Sequence, residues 1–425
     1  MYQNAAVLAV FLLLYSAIAG RVDKSWVSGP IVFTAAGLIF GPTGLGALHL
    51  DIAAEGLRLL AEATLAMVLF TDAAKADLGV VRRNLQLPER LLLLGLPLSI
   101  LLGLGMAWLV FPDLNVLELA LLATMLAPTD AALGKPVVTN PAVPAATRES
   151  LNVESGLNDG ICVPILVILL GLAIGTQIEG DTLSHVIRVV AKEIGIGLAV
   201  GGMLTGGAAL LLRWAKTHHS VSEGWTEVPG VALAGACFAA AQALGGSGFI
   251  ACFIGGLLLG RLMPEGKHGV LRGAENTGEA LALLTWLVFG SVVVGQLTGR
   301  LSLPVVLYAL LSLTVIRMLP VFLCLLGTPI GTAERLFIGW FGPRGLASIV
   351  FAIMVFDAGL PGNSVLMQTV ACTVLLSVIA HGVTANPLSR ALSARGSSRA
   401  IPLSATGEPV GPIRADAVAA HDRAP

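Results

Sequence analysis

Charge is scarce in this chain: Asp, Glu, Lys and Arg make up 12% of its 425 residues, where a soluble domain carries about a quarter. That supply cannot cover a water-facing surface, so lipid is left as the solvent for most of it. Aromatic residues are also few, at 5%, which excludes an interior built mainly on large rings. The formal net charge of -1 provides no basic face for a phosphate backbone, and no nucleic-acid partner is expected. The five cysteines, Cys162, Cys237, Cys252, Cys324 and Cys372, are odd in number and scattered through apolar stretches. That pattern reads as neither a disulfide framework nor a metal site, and no cofactor is expected. Basic residues are missing from the first 20 positions, and Arg21 and Lys24 follow the apolar stretch instead. This order is the reverse of a cleaved signal peptide and is read as a first membrane helix.

What is abundant is apolar residues, at 56%, and glycine, at 50 residues, which suits close helix–helix approach in a bilayer. Crossing the hydrocarbon takes about 20 mainly apolar residues. Thirteen runs qualify: 4–20, 27–46, 57–74, 91–111, 116–134, 147–174, 186–214, 228–244, 247–263, 278–298, 302–327, 333–357 and 363–386. The expected fold is therefore an all-α polytopic membrane protein with about 13 transmembrane helices. Residues 1–389 read as the transmembrane domain and 390–425 as a disordered tail rich in Ala, Ser, Pro and Arg. No stretch reads as a soluble regulatory domain. With the N-terminus outside, alternate loops collect 19 of the 25 Lys and Arg residues on the inner side and 4 on the outer. This bias sets a cytoplasmic C-terminus in a cell (inner) membrane. Arg317 and Arg344 fall within runs. Arg317 is read as snorkelling to the inner interface.

Charges at membrane depth cost several kcal/mol and need a partner or a task. They concentrate in two neighbouring runs. The fifth holds Ala127-Pro128-Thr129-Asp130, and the sixth holds Glu154-Ser155-Gly156-Leu157-Asn158-Asp159-Gly160. Pro128 lacks an N–H, so its helix should open there. Opened backbone in a bilayer is tolerated only where it is buried in protein or lines a polar cavity. Ser155 and Asp159 share one helix face, as do Glu154 and Asn158. Asp159 lies 11 residues beyond Arg148 at the inner edge, roughly 16 Å deep. A carboxylate there is relieved by a proton or by a cation, and the two states exclude each other. The twelfth run repeats the device as Gly342-Pro343-Arg344-Gly345. Two interrupted helices in inverted positions point to a transport site at the midplane. Asp130 is a candidate to balance positive half-helix ends. Arg344 is a candidate to balance the negative ends or to pair with Glu154.

These residues resemble those of the NhaP-type sodium/proton antiporters, over nearly the whole chain. The most specific piece, residues 154–160, is similar to the family's Glu-Ser-x-x-Asn-Asp-Gly segment. The resemblance implies a secondary antiporter, not an enzyme, that exchanges a monovalent cation for H+ at one buried Asp by alternating access. Na+ is the leading cation, with Li+ beside it and K+/H+ exchange by the same fold as the alternative. The Asn158-Asp159 pair implies the electroneutral branch. By the same resemblance, Asp159 is shared by cation and proton, Thr129 and Ser155 supply cation oxygens, and Asp130 organises the crossing of the two interrupted helices. Asn158 would fix Asp159 and Asp130, and Glu154 and Arg344 would form a buried structural ion pair. A moving core (about 91–174 and 302–386) and a panel that builds a homodimer are implied as well. Here Pro128 precedes Thr129-Asp130, whereas the family usually reads Thr-Asp-Pro.

Asp72 of the third run has two readings, an access or second proton site and a local pair with Lys75, three residues away. Readings from other classes also remain. Gly245-Gly246-Ser247-Gly248 matches the Gly-x-Ser-Gly pattern of rhomboid-type intramembrane proteases, with His381 as the base. A passive cation channel would use the polar residues without a titrating Asp159.

Overall fold

Each of the thirteen apolar runs contains helix. The computed structural model describes residues 2–22, 28–48, 55–75, 86–175, 183–218, 222–263, 267–294 and 301–397, and there is no strand among the described residues. The main helices are α1 (Tyr2–Val22), α2 (Gly29–Phe40), α3 (Glu55–Lys75), α4 (Gln86–Val110), α5 (Val116–Met125), α6 (Ala131–Val138), α7 (Ala145–Gly175) and α8 (Leu183–Thr217). They continue as α9 (Val228–Ala243), α10 (Gly248–Leu262), α11 (Lys267–Val288), α12 (Leu303–Cys324), α13 (Thr332–Trp340), α14 (Leu346–Asp357) and α15 (Asn363–Ser397). Among the described residues, seven helical segments are long and apolar enough to cross a membrane by length and composition. The fifth and twelfth runs are each split, into α5/α6 and α13/α14.

Large apolar side chains point outward along these helices, including Leu13 and Leu14 on α1, Trp108 and Leu109 on α4, Leu210 and Leu211 on α8, and Leu303 on α12. In water such a surface would aggregate, and in lipid it is the matching solvent face. The interior depends on glycine. Gly256 and Gly260 lie one turn apart on α10, and a Cβ on either would overlap a backbone carbonyl of α3, that of Phe70 or Ala74. Gly37 of α2 and Gly290, just after α11, make the reciprocal approach to Leu287 and Thr34. Small residues let these backbones pack closely where no hydrophobic force drives association.

The helices α2, α3 and α8–α11 pack mainly on one another, and α4–α7 and α12–α15 likewise. The long α7 touches α3, α8 and α10. Helix α15 continues through Ser397. The tail expected from 390 therefore does not begin there, because Arg390 and its neighbours still extend α15. Residues 398–425 lie outside the described residues, as do Lys24, Arg82, Arg83, Arg300, Arg399, Arg414 and Arg423 among the charges used for orientation.

Candidate functional site

Helix α5 is set by a capping box, in which Asn115 accepts from the Leu117 and Glu118 amides while Glu118 accepts from the Asn115 amide. The other oxygen of Glu118 accepts from Gly362 N at 2.7 Å, which ties the start of α5 to the start of α15. Sequence reasoning missed Glu118, although the Asn-x-x-Glu spacing was its signal. Helix then stops, and residues 126–130 run without helical structure into α6. Residues 341–345 do the same between α13 and α14. The two open stretches meet where Asp130 N donates to Pro343 O at 2.7 Å.

Opening two helices at depth exposes four helix ends, two with unpaired N–H groups and two with unpaired C=O groups. Asp130 serves both N-terminal ends. Its Oδ1 accepts from Leu133 N of α6 at 3.1 Å, and its Oδ2 accepts from Leu346 N of α14 at 2.7 Å. Gly345 allows this approach, because a Cβ there would overlap the Asp130 carboxylate. Arg344, fully buried, serves the C-terminal end of α5. Its Nη1 donates to Ala127 O at 2.5 Å and to Pro128 O at 3.0 Å.

The expected Glu154–Arg344 pair is corrected by this geometry. Glu154 is paired with Arg317 of α12 through two bonds of 2.5 and 2.8 Å, each residue being 1% exposed. Arg317 therefore does not snorkel. The pair abuts the second open stretch, since a Cβ on Gly342 would overlap the Arg317 guanidinium. A signal existed. Arg317 is preceded by 14 residues of α12 and followed by 7, too deep for its side chain to reach the interface with ease.

The oxygen-bearing groups converge beside this scaffold. Ser155 Oγ donates to Thr129 O at 2.6 Å, and Asn158 Nδ2 donates to Thr129 Oγ1 at 2.7 Å. Asn158 thus holds Thr129, whereas bonds to Asp159 and Asp130 were expected; it sits one turn past Glu154, on the face that meets Thr129. Asp159 retains 7% of its surface, and its Oδ1 is buried without a hydrogen-bond partner, as is Asn158 Oδ1. A buried carboxylate oxygen left unpaired is costly. A narrow crevice is lined by Thr129, Asp130, Leu151, Asn152, Ser155 and Phe341; Ser155 lies one helical turn before Asp159 on α7. Asp72 faces α7 at Gly156, where an added Cβ would lie 3.5 Å from the Asp72 Cβ. Lys75 pairs with Glu275 of α11 at 3.4 Å, so of the two readings of Asp72 the local pair with Lys75 gives way to one between helices.

Ser247 and His381 are not brought together. Ser247 is the N-cap of α10, accepting from Ile250 N at 3.4 Å. Both ring nitrogens of His381 are engaged by Trp340 O and Ser377. The protease reading fails on that geometry. No cluster of three or more metal-ligating His, Cys, Asp or Glu occurs among the described residues.

The family model described as sodium/hydrogen exchanger, transmembrane, matches residues 7–391. Over 412 residues the chain is 26% identical to the K(+)/H(+) antiporter NhaP2 of Shewanella sp. (strain ANA-3), covering 96% of this chain and 69% of the relative. It is 25% identical over 391 residues to the Na(+)/H(+) antiporter ApNhaP of Aphanothece halophytica, covering 88% and 73%. The solved structure of the sodium proton antiporter MjNhaP1 from Methanocaldococcus jannaschii shares the fold, with TM-score 0.72 at 22% identity over 92% of this chain and 98% of that one.

Proposed function

We infer the function from one premise: the chain belongs to the sodium/hydrogen exchanger family. It is a multi-pass membrane antiporter of the NhaP type that exchanges a monovalent cation for protons, a transporter rather than an enzyme. We propose that the exchange runs on Asp159. The observation that carries this reading is the buried, unpartnered Oδ1 of Asp159, on the helix α7 whose Ser155 and Asn158, one turn before it and next to it in sequence, hold Thr129. A proton on that carboxylate removes its charge. A bare monovalent cation removes it equally well and recruits the neighbouring oxygens. Because one carboxylate cannot hold both, each release prepares the opposite load, and two fluxes are coupled without a covalent step.

Thr129 and Ser155 would complete the cation shell, with Asn158 holding the Thr129 hydroxyl in place. Asp130 and Arg344 would keep the open stretches at fixed spacing while the protein alternates. The Glu154–Arg317 pair would lock α7 to α12. Asp72, facing α7 at Gly156, would act on the approach to the site or as a second proton site. Na+ is the cation we propose, one for one proton, as the single titrating Asp in the Asn158-Asp159 pair favours. A K+ reading is the second, favoured by the K(+)/H(+) names of relatives that cover most of this chain. We further propose the moving core of α4–α7 and α12–α15, a homodimer built by the remaining helices, and a cytoplasmic C-terminus.

The test is dye dequenching in reconstituted vesicles with Na+, Li+ and K+ compared and the membrane potential clamped or free. Electroneutral exchange gives rates indifferent to the clamp. Asp159→Asn should lose exchange to background while eluting as the folded protein, because an amide cannot alternate between proton and cation. Proton-coupled exchange retained in that variant would reject the assignment.

A further inference from the structure

Three of the four opened helix ends are accounted for by Asp130 and Arg344, and the fourth, the C-terminal end of α13, is met by His381. Its Nε2 lies 2.8 Å from Trp340 O, the last carbonyl of α13. Its Nδ1 lies 3.1 Å from Ser377 Oγ and 2.8 Å from Ser377 O. Ser377 Oγ in turn accepts from the backbone N–H of Arg344 at 2.7 Å. His381 thus bridges both ends of the 341–345 stretch: Trp340 before it directly, and Arg344 within it through one hydroxyl. Thr384, on the same face of α15, adds a bond from Trp340 Nε1 at 2.9 Å. His381, at 1% exposure, Ser377 and Arg344 are buried, and Trp340 and Thr384 are half-buried.

A neutral imidazole has one donor and one acceptor, and the relay uses each once. Arg344 N–H donates to Ser377 Oγ; in the tautomer with the proton on Nε2, the Ser377 hydroxyl donates to His381 Nδ1 and Nε2–H donates to Trp340 O. Nδ1 already lies nearer Ser377 O than Ser377 Oγ, so a second proton, on Nδ1, would be donated to that carbonyl and strip the Ser377 hydroxyl of its acceptor. The charged groups that act on the ring are Arg344 and Arg317, whose charge Glu154 compensates. The remaining faces are packed by Trp340 and Phe341 rings, 5.3 and 6.2 Å away.

We propose that His381 is a positioning residue of the exchange reaction, which fixes the open stretch that carries Pro343 and Arg344 when its ring is neutral and loosens it when a second proton arrives. It touches neither cation nor Asp159. It acts through the stretch on which Asp130 is anchored. This rests on the antiport reading above, and its effect is separable from competition at Asp159. Competition acts on the apparent cation affinity and is overcome by saturating cation. A loosened crossing lowers the maximal rate at any cation concentration.

The experiment measures maximal exchange rate against pH in vesicles at saturating cation, for wild type, His381→Gln, His381→Ala and Ser377→Ala. Gln keeps a donor for Trp340 O and does not titrate. It should retain the alkaline maximal rate within about twofold and lose the acid-side fall expected of wild type. Ala should lower the maximal rate about tenfold or more at every pH, with a smaller change in apparent affinity, a loss of about 1.4 kcal/mol or more in transition-state stabilisation. Ser377→Ala should fall between them. A wild-type rate and pH profile in His381→Ala, or an unchanged acid limb in His381→Gln, would overturn the proposal. Hydrogen exchange at the Arg344 amide, followed by mass spectrometry in detergent, gives a second readout that needs no transport. Protection should drop in His381→Ala and persist in His381→Gln. Equal protection in all variants would overturn the proposal, while absence of any exchange by wild type would instead sink the antiport reading alone.

Discussion

At the residue scale, the molecule separates charges that hold the structure from the Asp159 carboxylate, whose Oδ1 is buried without a hydrogen-bond partner. Glu154 and Arg317 pair through two hydrogen bonds in a dry environment. Breaking such a pair by removing one partner strands the other and costs about 3–5 kcal/mol, while replacing both with apolar residues of similar volume is often neutral. Arg317→Met should therefore lower the melting temperature and impair transport, and Glu154→Met in the same chain should restore much of the stability. A double variant no more stable than the single one, in a thermal unfolding series, would show that Glu154 is not the group Arg317 serves. The residues that carry charge were legible in the sequence, because each breaks an apolar run. Their pairing was not. Glu154 had two buried arginines to choose from, and the choice turns on which side of α7 each one reaches. Arg344 was drawn off by the carbonyls of Ala127 and Pro128, which become available only once α5 has opened.

Among the elements, the interruptions matter more than the helices. Pro128 and the 342–345 segment Gly-Pro-Arg-Gly announced both breaks, since proline removes a donor and glycine adds no side chain. What they did not announce is how closely the stretches approach. Gly345 has no room for a Cβ because Asp130 caps α14 there. Gly345→Ala is expected to displace the Asp130 carboxylate, with exchange reduced strongly and the chain still inserted in the membrane. Normal transport by purified Gly345→Ala in vesicles would contradict the crossing as described. A parallel test concerns packing away from the site. Gly256→Val on α10 would drive side-chain atoms into the Phe70 carbonyl of α3, an overpacking cost of about 1–3 kcal/mol, read as a lower unfolding temperature. The π-helical turns at Leu91–Gly95 and Phe289–Val294 had no signal in the apolar pattern, because one extra residue in a turn leaves composition unchanged.

For the whole molecule, lipid as solvent made the fold class readable from composition. The two packing groups were not readable from hydropathy, since lipid-facing and protein-facing positions are equally apolar. Glycine spacing, as in Gly256 and Gly260, was the better guide. The groups meet along α7, the helix that carries Asp159, and at the ends of α3 and α14, where Arg58 pairs with Asp357 at 3.2 Å. The proposed site lies at this seam, where a small relative movement would expose it to one side or the other, as the proposed exchange requires.

The coupling itself is tested most directly by the apparent affinity for the driving cation as a function of pH, at fixed membrane potential. If proton and cation compete for the Asp159 carboxylate, the half-saturating cation concentration rises by about tenfold for each pH unit below its titration point and levels off above it. A half-saturating concentration that stays constant across the same pH range, in protein that still exchanges, would contradict a shared carboxylate.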